Sequence, residues 1–359
     1  MNIDCHGHYT TAPSALIEWR TRQIQLFEES GTRLSPDELV ITDDQIRESI
    51  ETGQLPLQRE RQTDVTLFSP IAGYMAHHYG DEEMSRVWAR TCNELIHRVV
   101  TLFPNNFVGV CQLPQSRGVS AGNSAAELER CVTELGFVAC NLNPDPSDGY
   151  WQSPPITDRS FYPLYEKMVE LDVPAMVHVS MSCNPAVQGT CAHYLNGDTT
   201  AFLQLATSDL FVDFPTLKFI IPHGGGAVPY HWGRYRGFVQ DLGKKPLEEI
   251  VLNNVFFDTC VYWQPGLELL LKSIPAKNIS LRLRDDWRGA RCRRPNRASI
   301  RRHEIPSRLD HDLRCGPPVS DGRQRASRLR ASCECARVAE HRCMRGRMTE
   351  CSARLRNDV

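Results

Sequence analysis

The chain has 359 residues, enough for one large domain or two small ones, and 41% of them are hydrophobic, which is enough to bury a sizeable core. The formal net charge of −2 predicts no nucleic-acid or membrane-surface partner. No apolar run approaches the ~20 residues of a membrane span, and no basic segment followed by an apolar stretch opens the chain, so we predict a cytoplasmic protein. The eight cysteines of residues 1–280 form no CxxC pair, which predicts free, buried thiols in a reducing compartment.

The small net charge hides a change of composition near residue 280. Residues 1–280 contain 33 Asp and Glu against 20 Lys and Arg, whereas residues 281–359 contain 10 Asp and Glu against 21 Arg and no Lys. The second segment also holds six of the 14 cysteines and a single aromatic residue, Trp287. We therefore predict one functional domain over residues 1–279 and an atypical, poorly ordered tail over residues 280–359.

Short apolar runs alternate with helical patterns through the first region. Near-continuous apolar runs are typical of parallel strands covered on both faces. Seven strands are predicted at residues 1–4, 65–68, 107–112, 137–142, 175–179, 217–221 and 255–259. Helices are predicted at residues 83–102, 124–135, 161–171, 199–209 and 265–272, with Thr199 as a capping residue. Residues 12–63 are rich in charge and are predicted to form a helical insertion after the first strand.

This alternation predicts an α/β fold of the (β/α)8 barrel type, with an eighth strand beginning at residues 277–279. A doubly wound open sheet is the alternative, but no GxGxxG motif opens a helix in this sequence. In a barrel, the C-terminal ends of the strands meet at one face, and the active site lies there.

Four histidines lie at these predicted strand ends. His6 and His8 follow the first strand, where alternate residues share a face. His178 ends the fifth strand, and His223 precedes three glycines after the sixth. Taken alone, His6 and His8 are also explained as surface histidines near the N-terminus, and His178 or His223 as a hydrogen-bonded core histidine. Together they predict a metal site, because imidazoles are common ligands of divalent ions.

These four landmarks resemble the metal-dependent amidohydrolase superfamily, in its branch of hydratases, decarboxylases and hydrolases of small carboxylated substrates. The opening segment DCHGHYTTAP, at residues 4–13, is similar to that of the 4-oxalomesaconate hydratases of protocatechuate 4,5-cleavage. The resemblance covers residues 1–279. It implies a lyase that adds water to the C=C bond of a conjugated tricarboxylate. A decarboxylase or hydrolase of another small acid is the alternative.

The resemblance also implies roles for individual residues. His6, His8 and His178 match metal ligands, for which we expect Zn²⁺, and His223 matches a residue suited to proton transfer. The bound ion is expected to activate water as hydroxide at neutral pH. The resemblance further implies a small-molecule substrate as the partner, and we expect a homo-oligomer.

The three carboxylates of such a substrate call for arginine partners, because the guanidinium fork matches a carboxylate. Arg234, after the glycine loop, and Arg47, in the insertion, are candidates, although each is equally explained as a solvated surface arginine. Tyr194 is predicted to lie on a long loop after the fifth strand and to contact the substrate.

One expected feature is absent from the sequence. The resemblance implies a glutamate ligand after the eighth strand, within Ser-Glu-Met-Ile-Gly-Ala-Val-Arg, but Arg284 stands at that place. A suitable choice of codons for residues 283–291, read from the second base, spells this missing motif. We therefore interpret residues 280–359 as the product of a frame change in the gene. A basic nucleic-acid-binding tail and a Cys/His metal module are the alternatives, but the tail lacks both a recognisable module and paired CxxC spacing.

Overall fold

A single parallel sheet of eight strands forms the centre of the structure, a computed structural model that describes residues 2–281. The strands pair in chain order, from β1 to β8. They are β1 (Ile3–His8), β2 (Val65–Ser69), β3 (Phe107–Gln112), β4 (Ala139–Leu142), β5 (Ala175–Val177), β6 (Phe219–Ile221), β7 (Val255–Asp258) and β8 (Ile279–Ser280). The Cys5 N–H donates to the Leu281 carbonyl at 2.9 Å, which links the chain after β8 back to β1.

This topology confirms the predicted (β/α)8 barrel. A doubly wound sheet is excluded because its strand order reverses at a switch point, whereas every neighbouring pair here is consecutive in sequence. Each of the eight predicted positions contains or adjoins a strand. The main difference is at β1, which extends four residues beyond its prediction and so carries His6 and His8 within the strand itself.

Helices cover the outside of the barrel and connect its strands. They are α1 (Ser14–Ser30), α2 (Asp43–Ser49), α3 (Leu55–Arg61), α4 (Glu82–Leu102), α5 (Ala125–Thr133), α6 (Tyr162–Glu170), α7 (Cys191–Thr207), α8 (Leu210–Asp213), α9 (Val228–Asp241), α10 (Leu247–Val251) and α11 (Gln264–Ser273). A π-helical turn, Ile50–Gln54, joins α2 to α3. The longest helix, α4, begins where the Asp81 carboxylate accepts the Met84 N–H.

The prediction for α7 was wrong at its start. The helix begins at Cys191, eight residues before Thr199, so Thr199 is not its cap. The Thr199 hydroxyl instead donates to the Leu195 carbonyl one turn earlier, as an interior threonine does. Helix α9 was not predicted.

The hydrophobic core lies between the strands and the surrounding helices. Large side chains with almost no exposure include Phe68, Phe107, Phe202, Phe219 and Phe257. The expectation of buried cysteines is only partly met, since Cys183 and Cys191 are exposed. No helix in the described part of the chain is long and apolar enough to cross a membrane.

The segment predicted as an insertion contains α1, α2 and α3. Of the atypical tail predicted at residues 280–359, Ser280 belongs to β8, and residues 282–359, including Arg284, lie outside the described residues.

Candidate metal centre and active site

The four predicted histidines meet at the C-terminal face of the barrel. His6 and His8 lie in β1, His178 follows β5, and His223 begins the short helical turn after β6. The ring centroids of neighbouring pairs are 4.9 to 5.4 Å apart. His6, His8 and His178 are buried, whereas His223 is half-buried. The structure therefore places these four side chains in one cluster.

Each imidazole of the cluster contacts an acceptor through its Nδ1 atom. His6 donates to Asp258 Oδ2 at 2.7 Å, and His178 donates to the Val179 carbonyl at 2.8 Å. His8 Nδ1 lies 2.7 Å from Ser69 Oγ, which can donate or accept, and 3.1 Å from the Pro70 carbonyl, which only accepts. A neutral imidazole with a proton on Nδ1 has a lone pair on Nε2. The carbonyl and carboxylate partners thus favour the tautomer in which Nε2 can ligate a metal.

The Nε2 atoms converge in a manner that suits a divalent cation. His6 Nε2 and His8 Nε2 are 3.0 Å apart, close enough to share a hydrogen bond or to bind one cation between them. One ring nitrogen from each of His6, His178 and His223 also lies within 4.8 Å of the others. The donor set, neutral imidazoles aligned by acceptors, fits a metal such as zinc.

His223 differs from the other three histidines in being half-buried and in its backbone conformation. Its Nδ1 atom donates to the carboxylate of Asp198, on α7, at 2.9 Å. Burial raises the pKa of Asp198 to about 6, and the nearby His223 opposes this shift. A histidine held by a buried carboxylate is arranged to accept and release a proton at Nε2.

The glycine loop after β6 holds His223 in an unusual conformation. His223 itself has a φ of 52°, a region that non-glycine residues rarely adopt. Gly224, Gly225 and Gly226 all have positive φ as well. A Cβ atom on Gly226 would lie 2.6 Å from the Leu195 carbonyl, so this loop packs too closely against α7 for a larger residue.

Tyr194 lies beside the cluster, although not on a loop as predicted. It belongs to the first turn of α7. Its ring centroid is 5.4 Å from that of His178 and 5.3 Å from that of His223. Burial raises the pKa of Tyr194 to about 12, so its hydroxyl is neutral near pH 7.

The two predicted arginines are not brought to the cluster. Arg47 is exposed on α2, where its guanidinium lies 6.0 Å from the ring centroid of Phe103, four residues before β3 begins. Phe103 is therefore near the N-terminal end of the strands, opposite the histidines. Arg234 is exposed on α9. The predicted contacts of both residues with substrate stay predictions.

Three residues that contact the histidines were not predicted from the sequence. Asp258 ends a correctly predicted strand, so the argument applied to the histidines would have found it. Ser69 ends β2 and was open to the same reasoning. Asp198 had no local signal, because it reaches His223 from the middle of a helix that packs over the site.

Comparisons with known proteins agree with this architecture. The amidohydrolase family model matches residues 3–280. The chain belongs to the amidohydrolase family. The match ends at the residue where the composition changes.

Relatives of this amidohydrolase include named enzymes. It is 59% identical over 279 residues to the 2-keto-4-carboxy-3-hexenedioate hydratase of a Sphingobium species, covering 78% of this chain and 81% of that protein. It is 56% identical to the solved 4-oxalomesaconate hydratase of Rhodopseudomonas palustris, with a TM-score of 0.72 and coverage of 79% and 81%. A dihydroxybenzoic acid decarboxylase of a Polaromonas species, solved with bound manganese, shares the fold at 22% identity, with a TM-score of 0.57 and coverage of 79% and 86%.

Proposed function

We propose that this amidohydrolase is a hydro-lyase that adds water to the C=C bond of 4-oxalomesaconate, giving 2-hydroxy-4-oxobutane-1,2,4-tricarboxylate in protocatechuate 4,5-cleavage. The observation that carries the proposal is the four-histidine centre, set in a barrel that is more than half identical to two named hydratases. The names of those hydratases share one substrate class, an unsaturated keto acid with three carboxylates.

His6, His8 and His178 are the proposed ligands of one divalent ion, through their Nε2 atoms. Zinc is the proposed metal, because neutral imidazoles are among its preferred ligands and its coordination by three protein groups leaves a position open. When bound, the ion supplies Lewis acidity that activates water near neutral pH. The chain's own contribution is to keep the three Nε2 lone pairs aligned through the acceptors on Nδ1.

His223 is the proposed proton-transfer residue. Its Nδ1–H is held by Asp198, so a proton gained at Nε2 gives an imidazolium beside a buried carboxylate. This contact fixes the orientation of the ring, so that Nε2 can exchange a proton with water or with a substrate carbon. Hydration needs a proton to be taken from water and a proton to be given to carbon, because the hydroxyl group and the proton are added to different carbons.

Tyr194 and Arg234 are the proposed substrate contacts, whereas Arg47, whose guanidinium lies near Phe103 at the opposite end of the strands, is not proposed as one. The neutral hydroxyl of Tyr194 is suited to donate a hydrogen bond to an oxygen of the substrate. For the arginine, Arg234→Ala provides the test: a guanidinium that binds a carboxylate gives a raised KM when it is removed. An unchanged KM would remove Arg234 from the binding site.

We further propose that the enzyme is cytoplasmic and forms a homo-oligomer, with a small tricarboxylate rather than a nucleic acid as its partner. Sedimentation of the purified protein measures its oligomeric state. A monomer at micromolar concentration would overturn that part of the proposal.

The product identifies the reaction. Incubation with 4-oxalomesaconate in ¹⁸O-labelled water, followed by mass spectrometry, is expected to show a product heavier by one labelled water. Release of CO₂ would instead indicate a decarboxylase, and cleavage of the carbon chain would indicate a hydrolase.

A further inference from the structure

Asp258 is a buried carboxylate that the proposed reaction does not yet use. It is the last residue of β7 and has no solvent exposure. It lies at the same face of the barrel as the histidines, because every strand of a parallel barrel ends there. A buried carboxylate is stable only when its oxygens are paired, so its partners define its role.

The two oxygens of Asp258 bind different parts of the site. Oδ2 accepts the Nδ1–H of His6 at 2.7 Å. Oδ1 accepts the backbone N–H of Gly224 at 2.8 Å and that of Cys260 at 3.0 Å. Gly224 directly follows His223, so a single carboxylate contacts a proposed metal ligand and the loop that carries the proposed proton-transfer residue.

We propose that Asp258 is a positioning residue that sets the tautomer of His6 and the location of His223 together. This inference rests on the proposed metal ligands and deepens their role. Asp258 contacts His6 at Nδ1, on the other side of the ring from the Nε2 atom proposed as a ligand, so it acts through His6 and Gly224 rather than as a ligand of the same ion.

The position of Asp258 in the barrel explains why a contact between β7 and β1 matters for the site. β8 has only two residues, and Asp258 pairs with Ser280 in its register. His6 lies in β1, on the other side of β8. The contact between Asp258 and His6 therefore spans β8, the shortest of the eight described strands. It holds β1 in place relative to β7 where the sheet has few backbone hydrogen bonds to do so.

Asp258→Asn is the sharpest variant, because asparagine has nearly the same shape with one acceptor and one donor. If its oxygen keeps the Gly224 and Cys260 N–H groups, its amide donates to His6 Nδ1. His6 must then carry its proton on Nε2, which cannot ligate a metal. If the side chain is flipped, its NH₂ group faces the N–H groups of Gly224 and Cys260, and the loop that carries His223 loses its hydrogen-bond acceptor. One orientation therefore disrupts the contact with His6, and the other disrupts the contact with the loop that carries His223.

The experiment measures Zn²⁺ affinity of the full chain by competition with a chromophoric chelator. Asp258→Asn is expected to bind Zn²⁺ about 10- to 100-fold more weakly, which is the usual effect of removing the partner of a ligating histidine. Asp145→Asn is the matched control, since Asp145 is equally buried but accepts only from Ser147, Gly149 and Trp151. Its Zn²⁺ affinity is expected to equal that of the wild type.

A second measurement covers the case in which Asp258→Asn does not fold. The ¹⁵N NMR spectrum of wild-type His6, without metal, is expected to show the proton on Nδ1. An Nε2–H tautomer would overturn the proposal, as would a folded Asp258→Asn variant with wild-type Zn²⁺ affinity. A wild type that binds Zn²⁺ tightly but does not hydrate the tricarboxylate would refute the proposed function and leave the role of Asp258 intact.

Discussion

The chemistry of each histidine in the cluster depends on the group that contacts its Nδ1 atom. A carbonyl or a carboxylate at that position accepts the Nδ1 proton and so leaves the lone pair on Nε2. His178 illustrates the simplest case, with the Val179 carbonyl at 2.8 Å. Substituting the histidine removes a metal ligand, whereas substituting the group at Nδ1 leaves the ligand in place but no longer fixes the orientation of its ring.

His178→Ala is expected to lose bound metal and activity together, because it deletes one of three proposed ligands. Metal content per chain, measured by atomic absorption beside the hydration rate, checks this. His231→Ala, an exposed position on α9, is the control and should retain both. Full metal content in His178→Ala would remove that residue from the centre.

His223→Asn is expected to keep its metal and lose about 10²-fold or more in kcat, the usual scale for the loss of a proton-transfer group. The reason is that an asparagine amide can donate to Asp198 but cannot take up and release a proton as imidazole does. Steady-state rates and metal content measured on one preparation separate the two effects. A normal kcat would show that His223 is structural.

At the scale of elements, the loop after β6 places His223 by a close approach to α7. Gly226 has a φ of 59°, and a Cβ there would meet the Leu195 carbonyl, which is backbone and cannot rotate away. Gly226→Ala is expected to destabilise the fold by about 1–3 kcal/mol through strain and to lower kcat by displacing His223. Thermal unfolding and kinetics measure both.

The matched control for that substitution is Gly243→Ala. Gly243 also has a positive φ, 68°, but a Cβ there would have no neighbour within 4 Å. It is therefore expected to lose stability from the backbone conformation alone and to keep its activity. Equal losses of activity in both variants would contradict the proposed role of the close contact.

At the scale of the whole molecule, periodicity was sufficient to predict the barrel and the histidine cluster. Parallel strands are buried on both faces and so stand out as apolar runs, and their ends share one face by topology. Contacts from outside the strands were not predictable, because Asp198 reaches the site from a helix whose start was misplaced by eight residues. Arg234 was chosen because it is close in sequence to the glycine loop, which does not determine where a helix surface faces.

The composition change at residue 280 gives a prediction for the gene. Resequencing is expected to find a one-base frame difference between the codons for residues 280 and 284, restoring a glutamate at the position of Arg284. The match to the family model, which ends at residue 280, supports this proposal. An uninterrupted frame with a soluble, active product ending at Val359 would contradict it.

The central claim is that the histidine centre hydrates an unsaturated tricarboxylate with a bound divalent ion. Its most direct test is a titration of metal-free protein, from the frame-restored gene, with Zn²⁺ while the hydrated product is quantified by mass spectrometry. The hydration rate is expected to rise in proportion to bound metal and to level off at one ion per chain. Turnover that is independent of metal, or release of CO₂ in place of a hydrated product, would contradict it.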